Sequence, residues 1–328
     1  MRPALTMAGT GTGAARDSGA VLGLGCAPLG NLFSAVDDDL ALATVDAAWD
    51  CGIRYFDTAP HYGLGLSERR LGAALQGRPR ASYQLSTKVG RLLVPNPQPT
   101  GSDLTVGGFD VPDDLVRRRD YSRDGVRRSI EESLRRLGTD HLDIALIHDP
   151  EDFMDQAVAE AVPALAKLRD EGVVGAIGAG MNFVEPLRRF VRETAVDVVM
   201  VAGRWTLLDR SARPLMDEAA SRGVAVLVAG PFNSGLLATD SPEDGATFDY
   251  APAGHELVDR ARRLAAATTA AGVSLPAAAL QFGPRRAEVA AVVTGLRSPG
   301  EVRAARAGWA ARIPHELWST LDEITRAH

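Results

Sequence analysis

Four residues of the chain are of types suited to moving a proton on or off an oxygen: Asp57, Tyr62, Lys88 and His148. Asp57 and Tyr62 share the stretch YFDTAPHYGLGLSERRLG, from Tyr55 to Gly72. Lys88 stands in LSTKVG and His148 in LIHDP. A free phenol titrates near 10, too high for ready proton exchange at neutral pH. A lysine cation beside it favours phenolate and is expected to lower that value. An aspartate can hold the lysine charged and in place while an imidazole orients a substrate oxygen. Each residue alone has a plainer reading. Asp57 before TAP is a turn acid, Tyr62 a packed ring with its hydroxyl at the surface, Lys88 a solvated cation, His148 a structural histidine. Chemistry requires a fold that gathers all four.

The elements that would do so are visible as an alternation. Short apolar runs at 21–25, 53–58, 83–90, 142–148, 173–180, 197–203, 224–230 and 288–295 each precede a helix-like stretch. Those stretches lie at 37–51, 67–76, 122–137, 156–171, 183–193, 211–222, 254–271 and 299–308. The runs are continuously apolar, as parallel strands covered on both faces should be. Gly52, Gly172 and Gly223 fall just before strands, where helices end. Eight such units predict a (β/α)8 TIM barrel, with a doubly wound sheet as the alternative. In a barrel the four candidates, at or just beyond the ends of the second, third and fourth strands, converge on one mouth. Segments 91–119 and 231–253 are too long for plain connectors and belong to that mouth as functional loops. Residues 314–328 read as an extra C-terminal amphipathic helix.

Composition narrows the partners. The chain has 328 residues, 45% apolar and 24% charged, which is globular usage. At about 150 residues per domain two domains are the default, but an α/β barrel of this length is a single one. We expect residues 1–18, rich in Gly, Ala and Thr, to be a disordered extension and 19–328 to be one barrel domain. The net charge of −6, without a basic run, argues against nucleic acid or an anionic membrane as partner and leaves a small molecule. The two cysteines, Cys26 and Cys51, form no ligand or disulfide pattern, so no metal is expected and a reducing cytoplasm fits. No apolar run of about 18 residues spans a bilayer, and the N-terminus has no signal-peptide core.

The stretches YFDTAPHYGLGLSERRLG, LSTKVGR, SIEESLRRLGTDHLDIALIHDP and PFNSGLL resemble the aldo-keto reductase superfamily, over about Gly23 to Ala305. The resemblance implies a catalytic tetrad of Asp57, Tyr62, Lys88 and His148, with Tyr62 the general acid/base, on a (β/α)8 barrel. It also implies a nicotinamide dinucleotide bound without a Rossmann domain. GPFNSGLL is similar to the loop that wraps the pyrophosphate in this family, which assigns Pro231, Asn233, Ser234, Gly235 and Leu237 to the cofactor. TGLRSPGEVRAA resembles the adenosine-binding segment, adding Gly295, Arg297 and Glu301. NADP-preferring members carry Lys and Arg at the positions of Gly295 and Glu301. A carboxylate there accepts from a ribose diol and repels a 2′-phosphate, so NAD is expected, with NADP left open through Arg297. The plain reading of Glu301 is a first-turn helix acid. Three departures stand out. Ala229 replaces an aromatic ring that many members stack on the nicotinamide, GAGMN leaves Asn182 as the carboxamide contact, and AGRWTLLD offers Arg204 or Trp205 near the ring.

HDP, AVPALAKLRDEGVVGAIGAGMN, VMVAGRWTLLD and FNSGLLA are most similar to a bacterial branch that oxidises sugars at C1. That implies aldoses such as L-fucose or D-arabinose converted to lactones, with His61, Asp149 and Trp205 facing the substrate. Closely similar sequences oxidise pyridoxal to 4-pyridoxolactone, which is also oxidation of a cyclic hemiacetal. Loop 91–119 is expected to hold the difference. Two other classes remain as alternatives. One is a cofactor-binding regulatory subunit like the β-subunits of potassium channels. The other is an unrelated barrel isomerase using His148 and Lys88, which would need a phosphate or metal site.

Overall fold

The structure, a computed structural model, describes residues 19–326. The expected disorder of residues 1–18 lies outside the described residues. In chain order the strands are β1 (Val21–Gly25), β2 (Tyr55–Asp57), β3 (Gln84–Val89), β4 (Arg91–Pro95), β5 (Leu115–Arg119) and β6 (Leu142–His148). They continue as β7 (Val174–Met181), β8 (Val198–Ala202), β9 (Ala225–Ala229), β10 (Thr247–Phe248), β11 (Ala251–Pro252) and β12 (Val289–Gly295). Eight of them close a barrel in the order β1-β2-β3-β6-β7-β8-β9-β12, with β12 returning to β1. The barrel pairs are all parallel. The expected (β/α)8 barrel is therefore observed, and the doubly wound sheet is not.

Register sets the functional layer. Gly25 pairs with Asp57 and Asp57 with Ser86. Lys88 pairs with Leu146, and His148 with Gly180. The strand ends carrying Asp57, Lys88 and His148 are thus neighbours around one rim. Inside the barrel Val21, Tyr55, Ile144, Leu146, Met200, Leu227 and Val293 form one apolar cluster, and a larger one fills the space between strands and helices.

Helix Arg123–Leu137 shows how the outer layer forms. Ser122 caps it by accepting from the Gly125 amide, and Gly138 ends it at φ 67°. Val126, Ile130 and Leu137 face inward, while Arg135 and Arg136 sit where the helix dipole favours cations. The C-terminal helix is present as His315–Arg326.

Four features depart from the sequence reading. The single helix expected over 156–171 is a π-helical turn, Ala157–Ala161, leading into helix Val162–Asp170. Pro163 supplies no amide to the turn before it and its ring crowds that turn, which widens it. Helix Leu275–Phe282, capped by Ser274 with Pro276 in its first turn, was not anticipated. Segment 91–119 is no open loop: β4 and β5 pair antiparallel from Arg91↔Arg119 to Pro95↔Leu115. Its own small core joins Leu64, Leu93, Phe109 and Val111, against which Tyr62 packs. Segment 231–253 likewise folds a short hairpin from β10 and β11.

Candidate active site

The turn after β2 delivers the phenol. Gly63, Leu64 and Gly65 are all left-handed, at φ 61°, 51° and 83°, so the chain reverses at once after Tyr62. A Cβ on Gly63 would lie 2.3 Å from the Gly30 carbonyl oxygen, so only glycine admits this close backbone crossing. The Ser67 hydroxyl then donates to the Cys26 carbonyl at 2.7 Å and lies 2.8 Å from Thr58 Oγ1, tying the turn to β1.

Lys88 is the hub. Its ammonium donates to Asp57 Oδ2 at 2.7 Å, the Thr58 carbonyl at 3.0 Å and the Tyr62 hydroxyl at 3.0 Å. All three of its protons are used. Asp57 is held on its other oxygen, where the Ser86 hydroxyl donates to Oδ1 at 2.7 Å and itself lies 2.9 Å from Tyr55 Oη. Gly23 makes room for that interior Tyr55: a Cβ there would meet the ring at 2.6 Å. His148 meets the Tyr62 ring edge-on, centroids 5.9 Å apart, and its Nδ1 is buried without a partner. The phenol of Tyr121 fixes the backbone there by donating to the His148 carbonyl at 2.7 Å.

The electrostatics correct one expectation. Burial pushes the Tyr62 phenol up to about 12, despite the pull of Lys88 in the other direction. The lysine was expected to lower it, but desolvation of the phenolate wins. For Lys88 burial disfavours the cation, yet Asp57 and Tyr62 outweigh it and hold the ammonium above its ordinary range. Burial, with Arg91 and Lys88 adding to it, keeps His148 well below the usual imidazole value and hence neutral. The arrangement holds a protonated phenol beside a permanent cation and a neutral imidazole. It can exchange a proton with a carbonyl or hydroxyl oxygen placed between ring and imidazole.

The residues assigned to a cofactor lie along the same rim, beyond β7, β9 and β12. Asn182 follows β7, and its carbonyl accepts from Arg204 Nε at 3.0 Å. After β9, Pro231 leads into a tight turn in which Asn233, Ser234 and Gly235 have φ of 47°, 58° and 107°. Asn233 donates to the Gly203 carbonyl at 3.1 Å, while its Oδ1 is buried without a partner. In front of Gly235 a Cβ would meet nothing within 4 Å. An open backbone, a partnerless buried amide oxygen and the absence of acids in 231–237 fit a bound dinucleotide. Leu237 is fully buried in the outer core, so its side chain supports the turn from behind.

Beyond β12, Gly295 lies against Pro28, where a Cβ would come within 3.3 Å of the proline ring. Arg297 reaches back to Ser34 beyond β1. Glu301 closes a helix cap: its carboxylate accepts from the Arg297 amide at 2.9 Å and its amide donates to Ser298 Oγ at 3.2 Å. The plain capping explanation of that acid is therefore realised.

His61 and Asp149, which the resemblance assigns to the substrate, join the cluster. The His61 and His148 rings are 5.5 Å apart, and Asp149 Oδ2 is 3.5 Å from His148 Nε2. Trp205 does not join them. It is buried against Phe282, centroids 5.3 Å apart, in the layer between barrel and helices, so its expected place facing the substrate is corrected. Arg204 is held by Asp249 at 2.7 Å. The sequence reading missed Arg91, Arg117 and Phe109, which the β4–β5 hairpin brings over the turn at Tyr62. Phe109 stands edge-on to His61 at 5.2 Å, and Arg117 donates to the His61 carbonyl at 2.8 Å. The available signal was two short apolar runs, LLV at 92–94 and LV at 115–116, each bordered by arginine across a Pro- and Gly-containing loop.

A closed parallel barrel with acid, lysine, phenol and imidazole on adjacent strand ends defines a class: barrel oxidoreductases acting at a carbonyl or hydroxyl carbon. The comparisons with known proteins agree. The chain belongs to the aldo/keto reductase family, whose model matches residues 21–326. It is accordingly an NAD(P)-dependent oxidoreductase. D-threo-aldose 1-dehydrogenase of a Pseudomonas species is 49% identical over 92% of this chain and 93% of its own. Pyridoxal 4-dehydrogenase of Microbacterium luteolum is 38% identical over 92% of each. Among solved structures, an aldo-keto reductase of Bacillus halodurans in its holo form superposes with a TM-score of 0.75 at 24% identity. That match covers 98% of this chain and 97% of the other, and it shows the shared fold. No single helix among the described residues is long and apolar enough to cross a membrane.

Proposed function

We propose that the enzyme oxidises an aldose, as its cyclic hemiacetal, at C1 to the lactone, with NAD as preferred cofactor and Tyr62 as the proton acceptor. The observation that carries this is the fully engaged ammonium of Lys88, bound at once to Asp57, Thr58 and the Tyr62 hydroxyl. A bound nicotinamide supplies the hydride acceptor. The protein's part is the proton. His148, neutral, holds the anomeric oxygen between its ring and Tyr62. The phenolate form of Tyr62 takes the hydroxyl proton as the C1–H bond breaks, leaving a carbon–oxygen double bond and the intact ring. Lys88 stabilises the phenolate before the transfer, and Asp57 with Ser86 keeps Lys88 aimed. No water enters the bond changes, because a hemiacetal already carries both oxygens of the lactone.

The 49%-identical aldose dehydrogenase supports the substrate class. The 38%-identical pyridoxal 4-dehydrogenase, together with the aromatic edge made by His61, Tyr62 and Phe109, supports a second reading in which pyridoxal is the hemiacetal. Glu301 beside the adenosine segment supports NAD. We also read residues 19–328 as one barrel domain and place it in the cytoplasm, to which its two free cysteines are suited.

The test follows reduced-cofactor formation with L-fucose, D-arabinose and pyridoxal, comparing NAD with NADP, alongside Tyr62→Phe. Aldose-dependent reduction of NAD that Tyr62→Phe abolishes supports the proposal. Binding of NAD without oxidation of any of the three would sink it.

A further inference from the structure

One wall of the mouth has a composition that general proton transfer does not explain. Arg91 opens β4, three residues after Lys88, and its side chain is only 15% exposed. It donates to Asp149 Oδ2 at 2.6 Å, lies 3.4 Å from His61 Nδ1, and its Nε is buried without a partner. Asp149 follows His148 directly and is held at φ 42°, a strained position for a residue with a side chain. Its carbonyl is fixed by Tyr121 at 2.9 Å and Arg119 at 3.1 Å. That strain points the carboxylate at Arg91 and His148 together. His61 precedes Tyr62, and its ring lies 5.9 Å from the Tyr62 ring.

Three polar groups of different character therefore surround the reacting phenol: a cationic donor, an anionic acceptor, and an imidazole able to do either. Beside them His148, already placed against Tyr62, completes the wall, with Asp149 Oδ2 at 3.5 Å from its Nε2. The side chains of Arg91 and Asp149 are 15% and 22% exposed, so both keep hydrogen-bonding capacity for oxygens of a ligand. A guanidinium and a carboxylate side by side match a vicinal diol, in which each hydroxyl both donates and accepts. The same pair is a poor surface for a methylated aromatic ring, which would desolvate both charges without replacing their hydrogen bonds.

We infer that Arg91, Asp149 and His61 form the subsite that reads the ring hydroxyls next to the reacting carbon, with Arg91 the specificity-determining residue. The substrate class is then a polyhydroxylated cyclic hemiacetal, not an aromatic one. The inference rests on the hemiacetal-oxidation reading above. It goes further by naming what the β4–β5 hairpin contributes: it brings the cation that completes the diol site.

The experiment compares wild type with Arg91→Met and Arg91→Lys on an oxidised aldose and on its 2-deoxy and 3-deoxy analogues, with NAD affinity followed by fluorescence quenching. Arg91→Met should lower kcat/KM for the parent aldose about a hundredfold, mainly through KM, as loss of a charged hydrogen bond implies. It should cost at least one deoxy analogue no more than about threefold, since the hydroxyl it served is already gone. Arg91→Lys should recover part of the loss, and NAD affinity should not move. Equal losses on the aldose and both analogues would mean that Arg91 only props up the hairpin, and the inference falls. It also falls if both deoxy analogues match the parent on wild type. Wild type that oxidises no aldose removes the functional reading itself, a result distinct from the other two.

Discussion

Replacing Lys88 by methionine keeps most of the side-chain volume and removes the charge on which the cluster is centred. Lys88 and Asp57 are 2% and 4% exposed, so solvent screens neither. The ammonium lies 3.0 Å from the Tyr62 oxygen. A full charge pair at that distance is worth about 5 kcal/mol at an effective dielectric of about 20. At about 1.4 kcal/mol per pKa unit, that amounts to between three and four units. The phenol already stands at about 12 with the cation present. Without it the phenolate is out of reach at any workable pH, and kcat should fall about a thousandfold or more. Stability should fall too, because Asp57 is left buried with Ser86 as its remaining side-chain donor, at a cost of about 3–5 kcal/mol. The two effects separate in the double variant Asp57→Asn with Lys88→Met, which should recover most of the melting temperature and none of the activity. The assay is cofactor reduction on aldose for both variants, with thermal unfolding in parallel. A Lys88→Met enzyme that keeps more than about a tenth of wild-type kcat near pH 8 would refute the reasoning, since the cation would not then govern the phenol.

The direction of the Tyr62 shift fixes a pH dependence. A base with a raised pKa is mostly protonated at neutrality, so kcat/KM for oxidation should climb about tenfold per pH unit from about pH 7 to 9.5. A plateau already reached at neutral pH would contradict the burial argument. The raised Lys88 value means that the ion pair's stabilisation is complete below about pH 10 and is lost only as pH climbs through the folded-state value, so unfolding does not distort that window. Glu301→Gln keeps an acceptor for the Arg297 amide but drops the charge. It should raise the NADP-to-NAD ratio of kcat/KM about tenfold with little change in melting temperature, whereas an unchanged ratio would leave Glu301 with its capping role alone.

Much of the barrel was legible because parallel strands buried on both faces announce themselves as continuous apolar runs. Each predicted strand lies within two residues of an observed one. The rim positions of Asp57, Lys88 and His148 followed from the same runs, since a polar residue ending such a stretch has to emerge at the mouth. What escaped depends on contacts between distant segments. Pairing Arg91 with Arg119 closes a long loop whose intervening residues carry no regular period. The sign of the Tyr62 shift was misread for the same reason: the phenol is buried by Phe109 and the small core of that hairpin, none of which is adjacent in sequence. Trp205 is assigned to the substrate by the family resemblance, yet Phe282, from a helix absent from the sequence reading, draws it into the outer layer.

One compositional asymmetry was available and connects sequence to mechanism. The 36 basic residues include only two lysines, Lys88 and Lys167. Elsewhere, on surface helices and across the hairpin, the cations that pair with carboxylates are arginines. A planar guanidinium suits those sites, where two parallel donors meet a carboxylate. It could not occupy the position of Lys88. Three acceptors converge there on one point from different directions, a carboxylate oxygen, a carbonyl and a phenol, all within 3.0 Å. A compact ammonium with three rotatable donors satisfies that geometry, whereas a rigid fork leaves donors unpaired in a buried site. Arg at position 88 should therefore fail as a substitute even though it preserves the charge. What the barrel has built around Asp57 and Tyr62 is a socket for a point charge.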